Sequence, residues 1–254
     1  MLEERVNVVC MKWGVLYGAD YVNKLYGMVR RHLQRPFHFY CITDNSNGIC
    51  DQVLVRDMPE FAVPASARGP WKKLLMFQEK LFDIEGKTMF LDLDVIIVGP
   101  LDRFFDYSDK FAVRHEFEKR KENDNFGNTS MYIFEAGSYP HLYENYVKNQ
   151  EAIHRQYWTA EQEYVTRTLY REGKLEFLPN EWVLSFKEHC LPPWPHRFWQ
   201  QPKLPAGASI IAFHGRPLPE DVAAGKWPLE GKPFWKALYK HTRPCRWLTE
   251  HWRE

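Results

Sequence analysis

Apolar runs of strand length alternate with segments of helical spacing through residues 1–100, and that alternation restricts the fold more than any other feature of the chain. "VNVVC" (Val6 to Cys10) reads as a first buried strand. A helix is expected from Asp20, with Asp20 as N-cap and Val22, Leu25, Val29 and Leu33 recurring at helical spacing. "FHFYCIT" (Phe37 to Thr43) reads as a second strand, closed by the turn cluster "DNSNG". Val53 to Val55 reads as a third. "GPWKKLLMFQEKLF" reads as a helix after Pro70, and "KTMFLDLDVIIV" follows it. Strands alternating with helices imply an α/β fold with a mainly parallel central sheet and helices on both faces. In such sheets ligands sit beyond the carboxyl ends of the strands.

Beyond residue 100 the pattern is mixed. "TSMYIF" (Thr129 to Phe134) is strand-like, residues 138–151 and 160–172 read as helices, and "LEFLP", "WVLSF" and "SIIAFHG" read as short strands. Residues 191–205, rich in Pro and Trp, read as an ordered loop. No Gly/Ser-rich linker divides the chain, so one domain over 1–254 is expected. Its first part (1–100) is nucleotide-binding in style, a mixed part (101–220) follows, and a basic, aromatic extension (221–254) ends it. A content of 44% hydrophobic and 26% charged residues supports a sizeable core. A formal charge of +1 gives no general pull toward nucleic acid.

"FLDLDVIIVGP" (Phe90 to Pro100) places two carboxylates one residue apart inside an apolar run. A charge there is costly unless compensated. On a strand, Asp92 and Asp94 point to one face, where their hard oxygens suit magnesium or manganese beside phosphate and water. An Asp-x-Asp pair after an apolar strand also starts phosphohydrolase sites, with the first Asp as nucleophile, and an Asp can simply cap a turn. His214 follows the apolar "SIIAF" and precedes Gly215 and Arg216. It reads as a third metal ligand beside a tight turn, or as a hydrogen-bonded histidine at a strand end. Imidazole favours Mn2+, with Mg2+ the alternative. Arg216 can pair with phosphate oxygens or serve as a surface charge. Lys72 and Lys73 are helical neighbours about 100° apart, so they cannot both face one site. Trp13 and Tyr17, in "MKWGVLYGADY" after the first strand, can stack on a base or pack their own loop. Asn128, Thr129 and Ser130 can hold sugar hydroxyls or form a turn. Glu161 and Gln162 stand at an expected helix start, where Glu also suits the helix dipole.

These stretches, in this order, resemble glycosyltransferases of the GT-A fold, specifically those like family 8. "MFLDLDVIIVGPLDRFF" resembles that family's DxD segment. "GPWKKLLMF" resembles the helix before it, whose basic residue reaches the donor, here Lys73. "NTSMYIF" resembles the segment facing the transferred sugar, "AEQEYV" the "DQ-D-x-L" segment with Glu161 in place of Asp, and "FHGRPLP" the C-terminal segment whose His completes the metal site. That family often has a lysine a few residues after this His; here Lys226 and Lys232 come later, a departure from the pattern at the diphosphate contact. The resemblance runs from about Val6 to Pro219 and implies a metal-dependent enzyme of the hexosyltransferase kind. It would move a sugar from a nucleotide-sugar, UDP-linked by expectation, to a glycan or glycolipid in polysaccharide biosynthesis, with retention. Asp94, Glu161 and Gln162 would be catalytic. Trp13, Tyr17, Lys73, Asp92, Asn128, Thr129, Ser130, Gly215 and Arg216 would bind the donor, and Asp92, Asp94 and His214 the metal. Were transfer to invert, a base would be sought at Asp124, Glu161 or His115.

A haloacid-dehalogenase-type phosphatase is the second reading. Its motif usually opens the chain and is followed by Thr, whereas here it is followed by "VII" and no downstream "GDxxxD" occurs. A non-catalytic carbohydrate-binding protein is the third, which the intact Asp pair and His oppose. Five scattered cysteines with no C-x-x-C pair argue against a zinc site and a disulfide scaffold, and Cys10 and Cys41 read as buried thiols. A reducing, cytoplasmic setting is expected; the start of the sequence shows no signal-peptide pattern and no stretch has the roughly 18 apolar residues of a membrane span. From Lys236 the chain carries five Lys/Arg against two Glu among Trp and Tyr. That segment can rest on the inner face of an anionic membrane or form a packed terminal helix with solvated charges, the reading preferred here.

Overall fold

Alternate residues of the early strands go to opposite sides of one sheet. In the computed structural model, which describes residues 5–64, 70–117, 125–157 and 161–254, strand β1 (Val6–Lys12) sends Val6, Val8 and Cys10 into one hydrophobic cluster and Val9 and Met11 into another. Strand β2 (Phe37–Thr43) divides Phe39 and Cys41 from Tyr40 and Ile42 in the same way. A strand with period two that is apolar on both faces must be covered on both faces. Helix α1 (Ala19–His32) covers the first, with Val22, Leu25 and Val29 buried. The 3-10 helix Trp71–Phe77, α3 (Pro140–Gln156) and α4 (Glu161–Arg171) cover the second. Trp71 is fully buried there and stacks on Tyr146 with ring centroids 5.2 Å apart.

The central sheet has seven strands in the order β3-β2-β1-β4-β7-β6-β8. These add β3 (Leu54–Asp57), β4 (Lys87–Leu91), β6 (Phe111–His115), β7 (Gly127–Glu135) and β8 (Leu175–Phe177). The pairs from β3 to β4 and the pair β6·β8 are parallel, while β7 runs antiparallel to β4 and β6. The fold is therefore α/β with a mostly parallel central sheet. A second sheet of three strands, in the order β5-β10-β9, joins β5 (Val95–Ile97), β9 (Val183–Ser185) and β10 (Ile210–Ala212). Short helices α2 (Asp102–Phe105), α5 (Pro219–Ala223) and α6 (Arg246–His251) complete the α-helices of the described residues.

Several local expectations need correction. The N-cap position of α1 is Gly18; Asp20 lies in the first turn and pairs with Lys24 at 2.9 Å. The helix expected after Pro70 is a 3-10 segment ending at Phe77. Strand β4 ends at Leu91, so Asp92 and Asp94 occupy the turn into β5. Their common orientation comes from that turn, because Val95 has to leave the main sheet and pair with Ala212 in the second. Residues 191–205 contain a 3-10 turn, His196–Phe198. The cysteines are free thiols, with Cys10 and Cys41 fully buried as expected. Among the described residues no helix is long and apolar enough to cross a membrane.

Candidate functional site

A cavity of about 520 Å³ opens where β1, β4 and β10 end, which is the end of the strands expected to bind ligands. The β1–α1 loop supplies Trp13 and Tyr17 to its wall, and the 3-10 helix supplies Lys73. The turn after β4 supplies Asp92 and Asp94. Strand β7 contributes Asn128 and Ser130, the start of α4 contributes Glu161 and Gln162, and the segment after β10 contributes His214 and Gly215. Gly215 has φ +62, a left-handed conformation that a side chain disfavours.

Two expected site residues do not line this cavity. Thr129 faces back and donates its hydroxyl to Glu161 Oε1 at 2.7 Å. Arg216, expected against a diphosphate, is held by Asp221 at 3.0 Å and by Glu230. Of the alternative bases, His115 stacks on Phe177 with centroids 3.4 Å apart, and Asp124 lies outside the described residues.

Lys73 is the electrostatic hub. Its Nζ stands 2.6 Å from Asp92 Oδ1 and 2.7 Å from Oδ2, 3.9 Å from Glu161 Oε1, and donates to the Thr129 carbonyl at 3.3 Å. Burial alone would lower its pKa, but Asp92, Glu161 and Asp94 together hold it above the ordinary lysine value. Lys72, its neighbour, is only half-buried and lies outside this cluster. Asp94 accepts a hydrogen bond from the Tyr17 hydroxyl at 2.9 Å. Burial, followed by repulsion from Asp92, pushes the Asp94 carboxyl up to about 7. Burial and the negative charge of Asp94 likewise push the Tyr17 phenol up.

Beside Glu161, Gln162 donates through Nε2 to Glu116 Oε2 at 2.9 Å and accepts from the Thr129 N–H at 3.4 Å. Burial raises the Glu161 carboxyl, and its Oε2 has no hydrogen-bond partner among the described residues. A buried acceptor without a partner at the edge of a cavity is suited to a ligand donor.

Asp92, Asp94 and His214 all line this cavity. His214 Nε2 is hydrogen-bonded to Ser185 Oγ at 2.7 Å, and its ring stacks on Phe117 at 5.7 Å. Among the described residues no group of three or more His, Cys, Asp and Glu side chains is arranged to hold a metal ion. The donor chemistry does fit a divalent cation, because two hard carboxylates repel one another at the cavity wall and Asp94 is left partly protonated near neutral pH.

Two groups escaped the sequence reading. Glu116 lines the cavity just beyond β6, where "RHEFE" offered an acid after a strand. Lys187, in the helical turn Phe186–Cys190 after β9, donates to the His214 carbonyl. Its amine would lie 4.0 Å from a Cβ on Gly215. Burial and the nearby Lys240 and Lys232 lower it to about 8. Only the parallel pairing of β9 with β10 brings it there, and nothing in "FKEHC" announces it.

No protein-family model matches the chain, and a search of curated proteins returned no match.

Proposed function

We propose that this chain is a metal-dependent glycosyltransferase of the GT-A type, moving a sugar with retention from a UDP-sugar to a glycan or glycolipid acceptor. One observation carries the reading. Trp13, Lys73, the Asp92–Asp94 pair, Asn128 with Ser130, Glu161 with Gln162, and His214 with Gly215 share the wall of one strand-end cavity. They are far apart in sequence, and they are the positions that the resemblance to family 8 names for donor, sugar and metal.

The division of chemistry follows from the two walls. Trp13 supplies an aromatic face for a base. Lys73, held charged by its acidic neighbours, stabilises phosphate charge and draws the Asp92 carboxyl down against the burial that raises it. Lys187 supplies the cation that Arg216 was expected to supply. Asn128 and Ser130 offer short polar groups to sugar hydroxyls. Glu161, with one oxygen fixed by Thr129 and the other unpartnered, stabilises positive charge on the sugar, and Gln162 is held beside it by Glu116. A divalent ion, when bound, supplies Lewis-acid neutralisation of the diphosphate leaving group, and the carboxylates of Asp92 and Asp94 would hold it.

The test is donor hydrolysis across a panel of UDP- and GDP-sugars, with Mn2+ and with a chelator, alongside thermal shift. Metal-dependent stabilisation and slow hydrolysis by one donor are expected, and both should vanish in Asp94→Ala. A chain that binds no nucleotide-sugar with or without metal would sink the reading.

A further inference from the structure

Two segments that the cavity does not use come together on the surface. In the first, Trp194 and Trp199 are 59% and 60% exposed; in the second, Phe234, Trp235 and Leu238 are 87%, 50% and 65% exposed. Cross-bonds make them one surface. Trp194 Nε1 donates to the Leu238 carbonyl at 2.8 Å, Arg197 donates to the Tyr239 carbonyl at 2.9 Å, and Phe198 stacks on His241 at 4.9 Å. The preferred reading of the C-terminal stretch as a packed helix holds for α6, where Leu248 is buried and Trp252 meets Tyr21 edge-on at 5.3 Å. It fails for Phe234–Leu238, a 3-10 turn with no buried residue.

Charge narrows the choice of partner. No Asp or Glu occurs between Glu188 and Glu220 or between Glu230 and Glu250, while Arg197, Lys203, Lys232, Lys236, Lys240 and Arg243 all do. Lys236 extends over the Trp235 ring, 5.6 Å from its centroid. Large aromatics left in water beside lysines, with no carboxylate among them, match the chemistry of a bilayer interface: rings at headgroup depth and amines on lipid phosphates. A second copy of this chain would set one acid-free cationic face against another.

We propose that the surface formed by residues 194–199 and 232–243 docks on an anionic lipid bilayer. It stands next to the cavity, because Glu230, just before Lys232, pairs with Arg216, which directly follows the cavity residue Gly215. The docked chain therefore carries its cavity close to the lipid surface.

The experiment is flotation of the full chain with phosphatidylcholine vesicles, with and without phosphatidylglycerol. Three proteins are compared: wild type, the triple variant Phe234→Ser/Trp235→Ser/Leu238→Ser, and the triple variant Lys232→Gln/Lys236→Gln/Lys240→Gln. Circular dichroism melts check that these exposed substitutions leave the fold intact. Wild type should bind in a phosphatidylglycerol-dependent, salt-sensitive manner, and each triple variant should bind at least about 10-fold more weakly. Absence of wild-type flotation, or flotation undiminished in either variant, overturns the proposal. So does sedimentation showing a dimer that the aromatic triple abolishes, since that assigns the surface to a second copy. None of these readouts involves donor or metal, so the glycosyltransferase reading can fail without affecting them.

Discussion

Lys73 Nζ is bound by both oxygens of Asp92, at 2.6 and 2.7 Å, and lies 3.9 Å from Glu161, so one buried amine joins the two acidic walls of the cavity. Removing it leaves buried carboxylates without a counter-charge, which costs far more than losing a surface ion pair. Lys73→Ala should therefore lose about 3 kcal/mol of stability in denaturant unfolding and most donor affinity. Lys72→Ala should change both by little. The double variant Lys73→Ala/Asp92→Asn should recover stability but not donor binding. Equal effects of the two single lysine substitutions would count against the assignment.

Asp94 carries the clearest pH signature. Its carboxyl is raised to about 7, so between its ordinary value and about 7 the folded chain holds a proton that the unfolded chain has released. Stability then falls as pH rises through that window, and the full penalty remains above it. Asp94→Asn removes the charge and should melt higher than wild type at about pH 8, by roughly 1–3 kcal/mol, with the gap closing toward about pH 5. Metal binding needs the ionised form, so the affinity of the metal-free chain for Mn2+ should rise with pH through about 7. A melting difference independent of pH would refute the Asp94 assignment.

Lys187, which the sequence reading passed over, takes in the proposed enzyme the diphosphate role that was expected of Arg216. Arg216 is committed to Asp221 and Glu230, whereas Lys187 is drawn inward onto the His214 carbonyl and lowered to about 8. Calorimetric titration with UDP should show Lys187→Met weaker by about 10-fold, the size of one hydrogen bond to a charged group. Arg216→Ala should stay within about twofold. Because the amine discharges as pH passes about 8, wild-type affinity should decline there, and Lys187→Arg should flatten that decline. The opposite ranking of the two variants would return the diphosphate contact to Arg216.

How much of this the sequence contained depends on the range of the interactions. Period-two alternation in β1, β2 and the 131–134 stretch of β7 was legible, because a strand buried on both faces needs only its own residues to say so. The second sheet was not. Its strands β5 and β10 are short apolar runs, and their pairing joins Ile97 to Ile210, far apart in the sequence. The same blind spot hid Lys187 and placed Asp92 and Asp94 on a strand, since the turn they occupy exists to carry Val95 into that sheet. Residue types of the cavity wall were legible from local pattern. Hydrogen-bond commitments such as His214 to Ser185 and Arg216 to Glu230 were not, because each partner arrives from a distant segment.

Stereochemistry gives the last prediction. An inverting transfer needs a positioned base for the acceptor hydroxyl. His115 is turned onto Phe177, and the other acid on that wall, Glu116, is occupied by the Gln162 amide and the Phe117 N–H at 2.9 and 2.7 Å. A retaining, front-face route needs no separate base, because the departing phosphate accepts the acceptor's proton. It needs instead a group that stabilises positive charge on the sugar, and Glu161 offers an unpartnered buried oxygen for this. The product of a UDP-α-sugar should therefore be α-linked, read from the anomeric proton by NMR. Glu161→Gln should lower kcat by about 100-fold while leaving UDP affinity nearly unchanged, since the proposal gives Glu161 to the sugar and not to the nucleotide. A β-linked product would exclude retention and make Glu116 the first base to test.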